Sequence, residues 1–227
     1  MHTPDEALTL RDPQALLAQT LRDWPAGGDL WVFGYASLIW RPEFDADETR
    51  GAAVHGWHRA LRMRSRVNRG TPEVPGLVFA LLPGGACRGL VYRLRPESVD
   101  EELERLWARE MPTGVYDARL LPCRTPQGPV VALAFTLGRR SEACLPRLAD
   151  DELLHILRHS RGRYGTTLEY LRETADLAGL DDAEIANAAT FWLDNLIGHV
   201  RGVPRGGEEL DRWSRQFARY FMRAVKP

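Results

Sequence analysis

VYDARLLPCRTPQGPVVALAFTLGRRSEACLPRLADDELLHILRHS, residues 115–160, is where the chain changes period. Residues 115–123 and 130–137 are apolar runs of strand length on either side of the turn signal TPQGP, and they predict a β-hairpin. From LADDELLHILRHS onward the apolar residues fall three or four apart, the spacing of a helix that buries one face. The same spacing recurs in TTLEYLRETADLAGL, DAEIANAATFWLDNLIGHV and ELDRWSRQFARYFMRAV. Strands followed by helices predict an α+β fold and argue against a doubly wound nucleotide-binding sheet, which needs the two in alternation.

Working back toward the N-terminus, LWVFGY at 30–35 reads as a short strand and VHGWHRALRMRS at 54–65 as a longer one. GLVFALLP at 76–83 and CRGLVYRL at 87–94 flank the turn signal PGGA and predict another hairpin. A short helix is expected from Pro13 to Arg22, closed by PAGGD at 25–29. Residues 1–29 are therefore read as an N-terminal extension and 30–227 as one domain, since 227 residues suffice for a single substantial core.

The charged fraction of 27% and apolar fraction of 44% are those of an ordinary soluble protein. Lys226 is the only lysine, yet 30 basic against 31 acidic residues leave a formal net charge of -1. That balance argues against a general nucleic-acid binder while permitting a local arginine patch for an anionic small molecule. Cys87, Cys123 and Cys144 are odd in number and widely spaced, which fits neither a disulfide framework nor a zinc knuckle. No basic start precedes an apolar run at the N-terminus and no stretch has 18 consecutive apolar residues, so no membrane association is expected and the expected location is the cytoplasm.

One carboxylate stands out. In ESVDEELERLWAREMPTGVYDARLLP a helix is predicted from about Ser98, with Leu103, Leu106 and Trp107 as its buried stripe. Glu110 falls at i+4 from Leu106 and i+3 from Trp107 and so points with the core residues, whereas Glu101, Glu102, Glu104 and Arg105 can sit largely in solvent. A core-facing carboxylate must be paired, hydrogen-bonded or useful. An ion pair with Arg109 or a neighbouring arginine, a helix-end contact and a chemical role are all consistent with the spacing.

Other candidates are weaker on residue grounds alone. VFGYASLIWRPEF at 32–44 puts Gly34, Ala36 and Ser37 at a strand end, where successive backbone N–H groups can form a nest for a carboxylate. Arg62, Arg64, Arg66 and Arg69 alternate along a strand and suit either a carboxylate-binding face or a charged strand edge. GRYGTTLEYLRET at 162–174 opens a helix with Thr166 or Thr167 as cap, and Tyr164 can offer a hydroxyl at a pocket rim. The pairs His155/His159 and His55/His58 lack HExxH and a third ligand, so no metal site is expected.

Taken in order, VFGYASLIW at 32–40, RVNRGTPEVPGLVFAL at 66–81, LWAREMPTGVY at 106–116 and GRYGTTLEYLRET at 162–174 resemble the ChaC-like branch of the gamma-glutamylcyclotransferases, over roughly residues 30 to 200. The resemblance implies a small, twisted, barrel-like β core with flanking helices. It also implies cleavage of glutathione to 5-oxoproline and cysteinylglycine without metal or organic cofactor. By the same resemblance Tyr35, Ala36, Ser37 and Leu38 hold the γ-glutamyl group and Glu110 is the catalytic glutamate. On residue type, an arginine of the 62–69 run, Arg66 or Arg69, would meet the far carboxylate of such a substrate and Tyr164 would line the rim. The family loop usually reads Tyr-Gly-Ser, whereas here Ala36 replaces the glycine; its methyl group is tolerated if the backbone there has negative φ and is unfavourable if the turn needs a left-handed conformation or a ligand approaches the α-carbon closely. Another γ-glutamyl compound as substrate, and a noncatalytic γ-glutamyl binder, are the alternatives.

Overall fold

The computed structural model describes residues 11–24, 29–146 and 148–177. The predicted helices at DAEIANAATFWLDNLIGHV and ELDRWSRQFARYFMRAV, and residues 25–28 of the PAGGD turn, lie outside the described residues. The chain divides into two compact units: residues up to His58 with Ala80–Leu145, and Arg59–Phe79 with residues from Pro146 on.

Five strands close a barrel in the order β1-β3-β2-β4-β5, namely β1 (Trp31–Gly34), β2 (Ala46–Ser65), β3 (Gly76–Leu94), β4 (Asp117–Arg124) and β5 (Val130–Thr136). Strand β1 is wholly buried because it is paired on both sides, antiparallel to β3 through Trp31↔Arg93 to Gly34↔Leu90 and parallel to β5 through Trp31↔Ala132 and Val32↔Leu133. That explains its unbroken apolar run. The β4/β5 hairpin forms as expected around Thr125–Gly128, where the Gly128 N–H donates to the Thr125 carbonyl at 3.1 Å.

The PGGA stretch does not reverse the chain. Residues 76–94 are one continuous strand that bends through Gly84 (φ 101°) and Gly85 (φ 73°), so the expected hairpin is corrected to a single 19-residue strand. The two left-handed glycines give the bend a conformation that L side chains rarely adopt.

In the first unit α1 (Pro13–Asp23) starts with Pro13 at its first position and Asp12 accepting from the Gln14 N–H at 2.9 Å. Helix α3 (Val99–Glu110) buries Leu103, Leu106 and Trp107. Trp107 meets Phe135 edge-on with ring centroids 5.7 Å apart and donates from Nε1 to the Pro13 carbonyl at 2.7 Å, tying α1 to α3. Glu102, expected in solvent, is only 4% exposed. Glu102 lies at i−4 from Leu106, so the i, i+4 row that carries Leu106 and Glu110 runs back through it.

The second unit carries α4 (Asp150–His159), a two-residue hairpin of β6 (Arg161–Gly162) and β7 (Gly165–Thr166), and α5 (Thr167–Leu177). A capping box opens α5: the Glu169 N–H donates to Thr166 Oγ1 at 3.1 Å and the Thr166 N–H donates to Glu169 Oε2 at 2.7 Å. Thr167 Oγ1 accepts from the Leu77 N–H at 3.0 Å, and the Tyr170 hydroxyl accepts from the Phe79 N–H at 3.0 Å. These bonds seat α5 on the start of β3. No helix among the described residues is long and apolar enough to cross a membrane.

Candidate active site

At the end of β1 the chain turns at Tyr35 and Ala36 into α2 (Ser37–Trp40), a single helical turn closed by the Ile39 N–H to the Ala36 carbonyl at 2.9 Å and the Arg41 N–H to the Ser37 carbonyl at 2.7 Å. Gly34 permits this turn to fold back, since a β-carbon there would sit 3.0 Å from Leu38 Cβ and 3.1 Å from the Tyr92 ring. Tyr35 is buried and donates its hydroxyl to the Phe135 carbonyl at 3.0 Å. Tyr92 donates to the Leu38 carbonyl at 2.8 Å. The loop is thus pinned to the barrel at both ends, by its own Tyr35 reaching β5 and by Tyr92 of β3. The N–H groups of Ser37 and Leu38, first in the helical turn, have no acceptor among the described residues.

Ala36 has φ −145° and ψ −118°, so it does not take the left-handed conformation that would demand glycine, and the pair also falls outside the broad β and right-handed α regions.

Glu110 is the last residue of α3, its side chain 15% exposed. Burial raises its proton affinity above the ordinary carboxylate range, Arg109 opposes that rise, and Glu43 adds to it. The ion pair with Arg109 is present, with Arg109 Nε 3.0 Å from Glu110 Oε1. Among the described residues Arg109 is the one group that pairs with this carboxylate. The other edge of the guanidinium faces the segment after α2: Nη1 donates to the carbonyls of Arg41 and Pro42, the latter at 3.0 Å, and lies 3.3 Å from Glu43 Oε2. Glu43 also takes Arg41 Nε at 2.5 Å and has φ 58°, the one positive φ outside glycine among the described residues. The Tyr92 hydroxyl is pushed up to about 12 by burial against the nearby Arg109 charge, which tends to lower it.

In the first unit, then, Tyr35, Ala36, Ser37 and Leu38 form one structured turn, and Arg109 links the residues just after it to Glu110. Arg66, Arg69 and Tyr164 belong to the second unit. There Arg69 Nη1 donates to the Tyr164 carbonyl at 2.5 Å and the Thr166 carbonyl at 3.4 Å, and the guanidinium lies 5.1 Å from the Tyr170 ring centroid. The Tyr164 N–H donates to the Asn68 carbonyl at 3.0 Å, and Arg66 is half-buried.

Glu43, Arg41 and Tyr92 were not singled out by sequence reasoning. A proline before Glu43 marks a turn, but nothing in the residue types signals a left-handed glutamate or its contact with an arginine 66 positions away.

The family model described as ChaC-like protein matches residues 30–201. The chain is 35% identical over 158 residues to the glutathione-specific gamma-glutamylcyclotransferase of Escherichia coli (strain K12), spanning 69% of this chain and 68% of that one. It is 34% identical over 166 residues to glutathione-specific gamma-glutamylcyclotransferase 1 of Mus musculus, spanning 69% and 74%. A crystal structure of a yeast gamma-glutamylcyclotransferase specific to glutathione shares the fold with a TM-score of 0.58 at 19% identity, covering 87% of this chain and 97% of that one. The closed five-stranded barrel with flanking helices is thus the fold the resemblance implied, and with most of its length matched the chain belongs to the ChaC-like protein family.

Proposed function

We propose that this chain is an intramolecular cyclotransferase that cleaves the γ-glutamyl bond of glutathione to give 5-oxoproline and cysteinylglycine. The observation that carries the reading is Glu110, a mostly buried carboxylate at the negative end of a helix, where the dipole disfavours it, with burial raising its proton affinity. The names of the bacterial and mouse relatives support glutathione as substrate.

The reaction asks little beyond folding the substrate and moving a proton. The substrate's α-amine attacks its own γ-carbonyl carbon, the new C–N bond closes a five-membered lactam, and the bond to the cysteine nitrogen breaks. Glu110 takes a proton from the attacking amine and returns one to the departing nitrogen, so the protein ends as it began. A carboxylate whose proton affinity is raised toward neutrality suits both transfers. The unengaged N–H groups of Ser37 and Leu38 support binding of the glutamyl α-carboxylate by the 35–38 turn. Arg66 and Tyr164 are the proposed substrate contacts of the second unit, and Arg69 is proposed to support them by holding the carbonyls of Tyr164 and Thr166. The cytoplasm is the proposed location, in line with three free cysteines.

A noncatalytic binder is the reading that Ala36 suggests; the negative φ there answers the left-handed objection to its methyl group, and retained Glu110 argues for catalysis. The discriminating experiment offers purified protein glutathione and γ-glutamylalanine separately and quantifies 5-oxoproline. Product mainly from glutathione is expected. Product only from γ-glutamylalanine would replace the substrate, and none from either would refute cyclotransferase chemistry.

A further inference from the structure

Arg109 makes more contacts than a simple partner of Glu110 would need. Residues i and i+1 of a helix do not face one another, so the 3.0 Å contact from Nε to Glu110 Oε1 requires the guanidinium to lie across the helix end. Its Nη1 holds it there, against the Arg41 and Pro42 carbonyls and Glu43. Glu43 reaches that place from a left-handed backbone, φ 58°, which is unfavourable for a glutamate and persists only where its surroundings hold it. The Arg109 side chain is 9% exposed and that of Glu43 35%, so the bridge is shielded from solvent at its arginine and open to it at Glu43.

Resting on the cyclotransferase reading, we propose that Arg109 and Glu43 are positioning residues: the Glu43–Arg109 bridge anchors the Glu110 carboxylate through Oε1, registers it to the segment that follows the 35–38 turn, and leaves Oε2 for proton transfer. The two residues also act on the carboxylate with opposite sign. Among the described residues the charged and titratable groups around it are Arg109, Glu43 with its partner Arg41, and Tyr92 beside Arg109. Removing the arginine's charge leaves burial unopposed, whereas removing the charge of Glu43 relieves a repulsion.

The test titrates Glu110 by carbon-detected NMR of glutamate-labelled protein, assigned with Glu110→Gln, in the parent, Arg109→Met, Arg109→Lys and Glu43→Gln. In parallel it records the pH profile of kcat/KM for 5-oxoproline release. The Glu110 midpoint should move up in Arg109→Met, stay near the parent in Arg109→Lys, and move down in Glu43→Gln, with the acid limb of kcat/KM following. Both arginine variants should lose turnover by about tenfold or more, since lysine lacks the fork that reaches both carboxylates. Shifts of the same sign in Arg109→Met and Glu43→Gln, or an unmoved midpoint in both, would overturn the bridge. Shifts of opposite sign without 5-oxoproline from any protein would leave the bridge standing and refute the cyclotransferase reading instead.

Discussion

Replacing Arg69 with alanine should weaken the second unit more than it weakens the grip on substrate. The side chain is buried at 4% exposure, and its Nη1 donates to the Tyr164 and Thr166 carbonyls at 2.5 and 3.4 Å. A hydrogen bond from a charged donor contributes about 1.5–3 kcal/mol, and only the shorter contact earns a full share. The guanidinium over the Tyr170 ring at 5.1 Å adds about 1 kcal/mol. The 3.6 Å pair with Glu173 is too long for a hydrogen bond and that side chain is 45% exposed, yet its Oε2 atom is buried and faces Arg69, so the pair adds up to about 1 kcal/mol. The loss is therefore about 3 kcal/mol, which for a chain of this size lowers the melting temperature by about 6–12 °C. Arg69→Lys should fall between, since an ammonium can reach one carbonyl but neither forks nor stacks as arginine does. Thermal melting and urea titration read the stability, and KM for glutathione is measured on the folded protein. A melting temperature within about 1 °C of the parent, with KM raised, would refute the reasoning and make Arg69 a direct ligand contact.

Three further outcomes are expected. Ala36→Gly should change stability by no more than about 1 kcal/mol, since the added freedom of the unfolded chain is offset by glycine's wider tolerance of the φ −145°, ψ −118° that Ala36 adopts, with kcat/KM within about threefold of the parent; a large gain in kcat/KM would show that the methyl group obstructs the ligand. Glu110→Gln should be more stable than the parent at neutral pH and lose that advantage in acid. The sign follows from burial raising the folded-state affinity for protons: the native stabilisation is present below the ordinary carboxylate range and is lost as pH rises through the folded value. Melting curves at about pH 4 and about pH 7 check it, and a parent more stable at both would contradict it. Glu102→Gln should leave the melting temperature unchanged or higher, because Glu102 Oε2 is buried without a partner and Oε1 is 3.6 Å from an exposed Arg105. A drop of several degrees would mean that the charge is needed there.

What could be read from residue order was local. The stripe of Leu103, Leu106 and Trp107 marked α3, the TPQGP turn marked the β4/β5 hairpin, and Thr166 or Thr167 marked a helix start, of which Thr166 is the cap. The course of β3 could not be read, since Pro83-Gly84-Gly85 has the chemistry of a reversal and only pairing elsewhere in the barrel keeps the strand running on. The first half of β2 was missed because Ala46–Gly51 alternates between exposed and half-buried positions and has no apolar period. For the candidate site, spacing alone placed Glu110 toward the interior, and Arg109 was one of its possible partners. The distant half of that contact, Glu43 in a left-handed conformation, is a tertiary event with no periodic signal. The same spacing logic applied one turn further back would have placed Glu102 with Leu106, and its neighbours' charges masked it.

The central claim is that Glu110 moves the proton in γ-glutamyl cyclisation. It is tested most directly by the rate of 5-oxoproline release from saturating glutathione by the parent and by Glu110→Gln, with circular dichroism and glutathione binding measured on both. The account predicts a folded variant that still binds glutathione and turns over about 100-fold more slowly or worse. A folded variant with turnover within a few-fold of the parent would contradict it.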